Sequence, residues 1–378
     1  MIIWRKRLIP AVAAVSLLLA SGPLASGPSH AEGAVLIPGA TVFKPINPIY
    51  PAVATSYPKI GLHFHTDTSP SVVKYSQNAL DSNRAIADGV AQAGAVVRGI
   101  EGEVVIIGES MGSMVAWRVA RELADSDAAP SRNDVKVVLI APPEAGVAEY
   151  FREGTFIPVL NYRIERIKLS PYDTTIVIGE YDGWADAPDR PWNLLAAANA
   201  LAGIVYVHGP PIAQTDVSGL TPVSEIPRKD EQHGAVTTYL VPTENLPLTQ
   251  AFRDVGAPDA LVDRVDDVLR PVIDAAYVRH DEPGDTRPYL RDGEIRRNVQ
   301  SQQQARESVL DRGLPKLPVG QQRRNGSGEL RQAIRNGLHD GLHELRDRVE
   351  TGVEQVRKKI AERRAERGER QNQESAAE

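Results

Sequence analysis

Gly108-Glu109-Ser110-Met111-Gly112 follows the β-branched run Val104-Val105-Ile106-Ile107 and leads directly into a helix-like segment. G-x-S-x-G between a buried strand and a helix is the setting of a nucleophile elbow. That turn is so tight that only small residues fit two positions either side of the serine. Such a turn lifts the hydroxyl clear of a sheet, with the helix N-terminus and the Met111 N–H close by to stabilise an oxyanion. Met114, Val115, Val119 and Leu123 give the following segment a buried stripe. An ordinary glycine-lined turn with a solvated serine is the plainer alternative, and the strand before and the stripe after argue against it.

A serine hydroxyl at neutral pH needs a base to take its proton and a carboxylate to orient that base. On elbow-bearing sheets the chain order is serine, acid, histidine, with the acid on the loop after a later strand. Asp182 lies four residues beyond Ile178, at the carboxyl end of the expected strand Thr174–Ile178. Asp182-Gly183 is also a turn signal, so a purely turn-forming role competes with an acid role. Asp186 and Asp189 lie further into the loop and read as loop or capping residues. Of the histidines after Asp182, His280, His339 and His343 fall in a polar tail. His208 ends the run Val205-Tyr206-Val207 beside Gly209, whereas His233 sits in a charged loop after Glu231 and Gln232. Context favours His208 as base and leaves His233 as the alternative. The second oxyanion donor is expected from the loop after an early strand, at Ala40 or Thr41 of Gly39-Ala40-Thr41.

His63-Phe64-His65-Thr66-Asp67 puts alternate side chains on one face of an extended segment, a possible start of a metal site. No further histidine cluster supports it, so neither metal nor other cofactor is expected. The absence of cysteine excludes a thiol nucleophile, cysteine-ligated zinc and a lipid on a lipobox cysteine.

The elements that must position these residues follow from apolar patterning. Strands are expected at 34–38, 60–64, 104–107, 135–140, 174–178, 204–207 and 237–241. Helices are expected at 71–95, 110–124, 194–202 and 261–277. Strands alternating with helices imply an α/β fold with a mostly parallel central sheet and helices on both faces, and the elbow belongs in such a sheet. Residues 143–169 are apolar enough to be an acyl-binding lid or part of the core.

Flanking segments have other compositions. Residues 1–31 combine Arg5-Lys6-Arg7, an apolar stretch at 8–20 and the small-x-small site Ser29-His30-Ala31. They read as a secretory signal, with a retained anchor as the alternative. Its removal makes the formal net charge of −6 more negative by three units, which argues against nucleic-acid binding. The enzyme domain is expected over 32–279, and a linker over 280–328. An amphipathic charged helix over 329–367 would make the fold's helical tail, with a disordered end at 368–378. Leu330, Ile334, Leu338, Leu342, Leu345 and Val349 begin its apolar face, which suits weak docking on its own domain or self-association, with contact with an envelope surface behind these because acidic residues interrupt the polar face.

The block Gly179-Glu-Tyr-Asp-Gly-Trp-Ala-Asp-Ala-Pro-Asp-Arg-Pro-Trp-Asn-Leu-Leu195 and the block Asn199-Ala-Leu-Ala-Gly-Ile-Val-Tyr-Val-His-Gly209 resemble the PE-PPE domain of mycobacteria and related actinobacteria. Thr237-Thr-Tyr-Leu-Val-Pro-Thr-Glu-Asn-Leu-Pro-Leu248, Leu36-Ile-Pro-Gly-Ala-Thr41 and the elbow extend the resemblance over about 34–275. It implies a cutinase-related serine α/β-hydrolase with Ser110 as nucleophile, Asp182 as acid and His208 as base. It also implies either an esterase or lipase acting on acyl esters, or an acyltransferase building trehalose glycolipids. The N-terminal PE or PPE helical module is replaced here by the signal-like segment, and the charged tail lies outside the pattern. A catalytically silent envelope-binding protein is the reading from a different class.

Overall fold

The computed structural model describes residues 33–41, 60–65, 70–228 and 230–297. The signal-like segment, Asp67, most of the expected linker and the expected helix at 329–367 lie outside the described residues. In chain order the elements begin with β1 (Gly33–Ile37), β2 (Ser71–Val72), α1 (Ser82–Arg98), β3 (Val104–Glu109), α2 (Met111–Ala124) and β4 (Val135–Ile140). A hairpin of β5 (Phe156–Ile157) and β6 (Tyr162–Arg163) precedes β7 (Asp173–Gly179), α3 (Leu194–Tyr206) and α4 (Pro210–Ala213). Then come β8 (Ser224–Ile226), β9 (Val236–Val241), α5 (Pro247–Asp254), α6 (Asp259–Asp274), β10 (Tyr289–Arg291) and β11 (Glu294–Arg296).

Seven strands form one sheet in the order β2-β1-β3-β4-β7-β9-β8, parallel throughout except for β8 against β9. This is the expected α/β-hydrolase architecture. β3 lies inside the sheet and all six of its residues are buried, as a parallel strand covered on both faces requires. Side chains alternate between two cores. Val35, Ile37, Ile106, Val137 and Leu139 pack with Ala85 and Val90 of α1 and Val115 and Val119 of α2. Leu36, Ile107, Val138 and Ile140 face the other way, onto Ile60, Phe64, Ile212 and Val217. A third core of Tyr181, Ala196, Leu246, Ile273 and Tyr277 joins α3 and α6 to the loop after β7.

Several local expectations are corrected. The run 60–64 is a 3-10 turn, Leu62–Phe64, not a strand, and it enters through Gly61 in the left-handed region at φ 68°. The run 71–95 is not one helix. Ser71 and Val72 add β2 to the sheet edge, and α1 begins only at Ser82, after the Asn78 side chain has capped a 3-10 turn. Residues 204–207 are not a strand either. The Asn193-capped helix α3 runs through Ile204, Val205 and Tyr206, so His208 follows a helix end. Here tertiary packing overrides the weak β preference of three residues. Within 143–169, Tyr162 and Ile164 are core residues while Phe156 and Val159 are exposed, so the segment is not uniformly lid-like.

The expected linker begins too early. Beyond residue 279, Asp292 (φ 51°) and Gly293 (φ 68°) form the two-residue turn of the β10–β11 hairpin, an Asp-Gly signal suited to such turns. The hairpin docks through Leu290 N–H to Asp189 O at 2.8 Å and Asp292 N–H to Glu149 O at 2.7 Å. Arg166 Nη2 reaches Asp292 at 3.0 Å. Arg190, 4% exposed, makes a two-pronged pair with Asp281 at 2.9 and 2.6 Å. Ending the chain after Arg279 strands a buried guanidinium, which typically costs about 3–5 kcal/mol. Thermal and urea melts of chains ending at 279 and at 297 are expected to differ by that amount, with the longer one matching the full chain.

Candidate active site

Ser110 lies between β3 and α2 with φ 54° and ψ −121°. A non-glycine residue held there stores about 1–3 kcal/mol of strain, and close packing on both sides enforces it. A Cβ on Gly112 would fall 1.8 Å from Ile37 O, and one on Gly108 would fall 2.3 Å from Gly112 O. The requirement for small residues read from the motif is thus a requirement for close backbone approach between β1, β3 and α2. The Ser110 N–H donates to Ile140 O at 2.9 Å, tying the elbow to β4.

The structure brings three of the sequence-expected residues together. His208 Nε2 lies 2.8 Å from Ser110 Oγ, and His208 Nδ1 lies 2.7 Å from Asp182 Oδ2. Asp182 is fully buried, and its other oxygen accepts the Trp184 N–H at 2.9 Å. Asp182 therefore serves as turn former and histidine partner at once, one oxygen for each. Burial works against the His208 imidazolium, but the Asp182 charge, its hydrogen bond and the Glu109 charge outweigh burial and raise His208 above its ordinary value.

Acid and base are positioned against each other by a backbone contact. A Cβ on Gly203 would fall 1.9 Å from Tyr181 O, so only glycine lets α3 press onto the acid-bearing loop. The Gly203 carbonyl then accepts the N–H groups of both Val207 and His208 at 2.9 Å, which turns the chain out of the helix at the base. Tyr181, at φ 65°, donates its N–H to Asp186 Oδ2 at 2.7 Å, and Arg279 donates to the other oxygen of Asp186 at 2.6 Å. Burial pushes Asp186 up to about 6, with Arg279 opposing it. Asp186 is thus a clamp on the acid loop, and Asp189 holds the Val278 N–H.

Met111 is buried at the N-terminus of α2, where the expected oxyanion donor belongs. In the early loop, Thr41 N–H already donates to Gln77 O at 2.9 Å, and Gly39 N–H donates to Glu109 Oε2 at 2.8 Å. Of the two donors expected there, Thr41 is engaged, which leaves the Ala40 N–H as the better candidate. Gln77 and Tyr75, whose hydroxyl donates to Pro38 O at 2.6 Å, cradle this loop and were not legible as site residues. Their role depends on contacts made across some 37 residues of chain.

His233 is half exposed and pairs with Asp230 at 2.9 Å. His63 Nε2 is 3.0 Å from Gln214 O, and His65 is buried. Among the described residues no group of three or more potential ligands could hold a metal ion.

The PE-PPE domain family matches residues 48–278. Three relatives come from Mycobacterium tuberculosis. The uncharacterized PPE family protein PPE63 is 36% identical over 58% of this chain and 48% of its own length. The diacyltrehalose acyltransferase Chp2 is 36% identical over 58% of this chain and 60% of its own length. The esterase PE16 is 36% identical over 47% of this chain and 34% of its own length. The chain thus spans about half the length of PPE63. The family match covers the loop bearing Asp182, the end of α3 and the elbow. This α/β-hydrolase chain, with its serine, histidine and aspartate in hydrogen-bonded sequence, belongs to the PE-PPE domain family.

Proposed function

We propose that the protein is a serine esterase that cleaves lipid or short- to medium-chain acyl esters through an acyl-enzyme. The observation carrying this reading is the unbroken line Ser110 Oγ, His208 ring, Asp182 carboxylate, with contacts of 2.8 and 2.7 Å. In the first half-reaction Ser110 Oγ bonds to the ester carbonyl carbon as its proton passes to His208 Nε2. The carbonyl electron pair moves onto oxygen, where the N–H groups of Met111 and Ala40 would receive it. Collapse expels the alcohol, which takes its proton from His208 Nε2. Water, deprotonated by the same nitrogen, then releases the acid. Asp182 holds the ring in the tautomer that leaves Nε2 free to accept, and it stabilises the imidazolium.

A second reading is favoured by one relative's name: the 36% identical Chp2 is a diacyltrehalose acyltransferase. The steps are shared until deacylation, where a sugar hydroxyl replaces water. The two outcomes differ in acceptor affinity and water exclusion at the acyl-enzyme. The deciding experiment supplies a long-chain acyl donor with and without trehalose and identifies products by mass spectrometry. Free fatty acid in both cases supports the esterase; acylated trehalose at the expense of free acid supports the transferase. Export through residues 1–31 and envelope contact or self-association through 329–367 belong to the same proposal, and cell fractionation tests them. A silent binding protein would leave Ser110 unlabelled by a fluorophosphonate probe.

A further inference from the structure

Glu109 occupies the variable position just before Ser110, and a carboxylate at the end of a fully buried strand needs compensating partners. Its residue is 4% exposed. Oε2 accepts the Gly39 N–H at 2.8 Å. Oε1 lies beside Gly209, where a Cβ would stand 3.6 Å from it. One carboxylate therefore hydrogen-bonds the loop expected to carry the second oxyanion donor and lies next to the residue that follows His208. Gly39 is pressed against it so closely that a Cβ there would fall 2.6 Å from Oε2 and 2.8 Å from Ser110 Cβ.

Resting on the reading of Ser110, His208 and Asp182 as the reacting groups, we infer that Glu109 is a positioning residue with two effects. It fixes the Gly39-Ala40-Thr41 loop against the nucleophile, and it sets a second negative charge near the His208 ring. The Gly39 amide is held by this carboxylate and the Thr41 amide by Gln77, so the Ala40 peptide is fixed from both sides. As Ser110 attacks, positive charge develops on His208. Asp182 meets it through Nδ1, and the Glu109 charge, beside Gly209, adds to that stabilisation. Among the described residues, the charged groups acting on His208 are Asp182 and Glu109, and those acting on Glu109 are His208 and Asp182. Burial pushes the Glu109 carboxyl up, while the His208 charge and the Gly39 amide oppose that rise. Removing the Glu109 charge has a definite sign: the imidazolium loses a partner, and His208 titrates at lower pH.

The test uses the full chain with Glu109→Gln and Glu109→Ala. Glutamine keeps an oxygen to accept the Gly39 N–H but carries no charge, so it separates the two effects. With Glu109→Gln in a Ser110→Ala background, His208 followed by NMR is expected to titrate at lower pH than in Ser110→Ala alone. In otherwise wild-type protein, the acid limb of kcat/KM on p-nitrophenyl butyrate is expected to move the same way. Glu109→Ala also frees the loop, and misplacement of that order costs about 10²-fold in kcat with KM little changed. An unmoved His208 titration in the Gln variant overturns the electrostatic role. Turnover by a folded Ala variant within about twofold of wild type overturns the positioning role, since a 1 Å displacement alone costs far more. If Glu109→Ala does not fold, Glu109→Leu, which fills similar space but offers no acceptor to the Gly39 N–H, carries the same kcat test of the positioning role, while the Gln titration decides the electrostatic one. The NMR titration needs no turnover. A protein inert to esters and fluorophosphonate would remove the hydrolase reading while the titration still judged Glu109.

Discussion

Replacing Ser110 with alanine is expected to reduce ester turnover by roughly four to six orders of magnitude and to abolish fluorophosphonate labelling. The expected size follows from the residue's place in the chemistry: without Oγ no acyl-enzyme forms, and only substrate binding and the oxyanion donors remain. The fold should survive. The unusual backbone of Ser110 at φ 54° is imposed by Gly108, Gly112 and the Ser110 N–H bond to Ile140 O, none of which alanine disturbs. Alanine has the same backbone demands as serine at that position and fits the space left by the hydroxyl. Melting temperature should therefore match wild type while turnover vanishes. Near-wild-type turnover of a soluble p-nitrophenyl ester by folded Ser110→Ala protein would refute the mechanism.

The second large effect separates two histidines that are 25 residues apart in chain and unlike in setting. His208→Gln should cost roughly four orders of magnitude or more in kcat, with KM little changed, because the base acts mainly in the transition state. Its ring is wedged between Ser110 Oγ at 2.8 Å and the buried Asp182 at 2.7 Å. A glutamine there can hydrogen-bond but cannot take the serine proton. His233→Gln should leave turnover within about twofold, as expected of a surface substitution, since His233 is half exposed and pairs with Asp230 on the surface. The measurement is steady-state turnover of both purified variants on one soluble ester, with melts as the folding check. An active His208→Gln enzyme beside a dead His233→Gln enzyme would move the base elsewhere while leaving Ser110 in place.

Chain order and local pattern were enough to single out Ser110, Asp182 and His208 as candidates, because each is marked by its immediate neighbours. The elbow is a local object: an apolar β-branched run, small residues two positions either side of the serine, and a helix stripe directly after. Asp182 follows a strand end, and chain order left only two histidines to weigh. Sequence also pointed to a parallel sheet, since runs such as 104–107, apolar on both faces, alternate with amphipathic helical stretches, the pattern of interior strands.

What sits on each element, and what holds the site in register, came only from the tertiary structure. His208 is carried by the end of α3 rather than by a strand. Ile204 and Val205 disfavour helix by at most a few tenths of a kcal/mol each, and the burial of α3 against Tyr181 outweighs that easily. Gly203 makes the approach possible, and nothing within the helix sequence reveals that its neighbour is Tyr181 O. The β10–β11 hairpin was hidden by a polar composition, because its docking uses ion pairs and backbone bonds to residues 149–190 in place of an apolar face. Glu109 stood in plain view inside the motif, yet its partners Gly39 and Gly209 lie 70 and about 100 residues away along the chain. Periodicity reports which face of an element is buried; it carries no information about which distant loop arrives there, and that meeting is what places a charge beside a base.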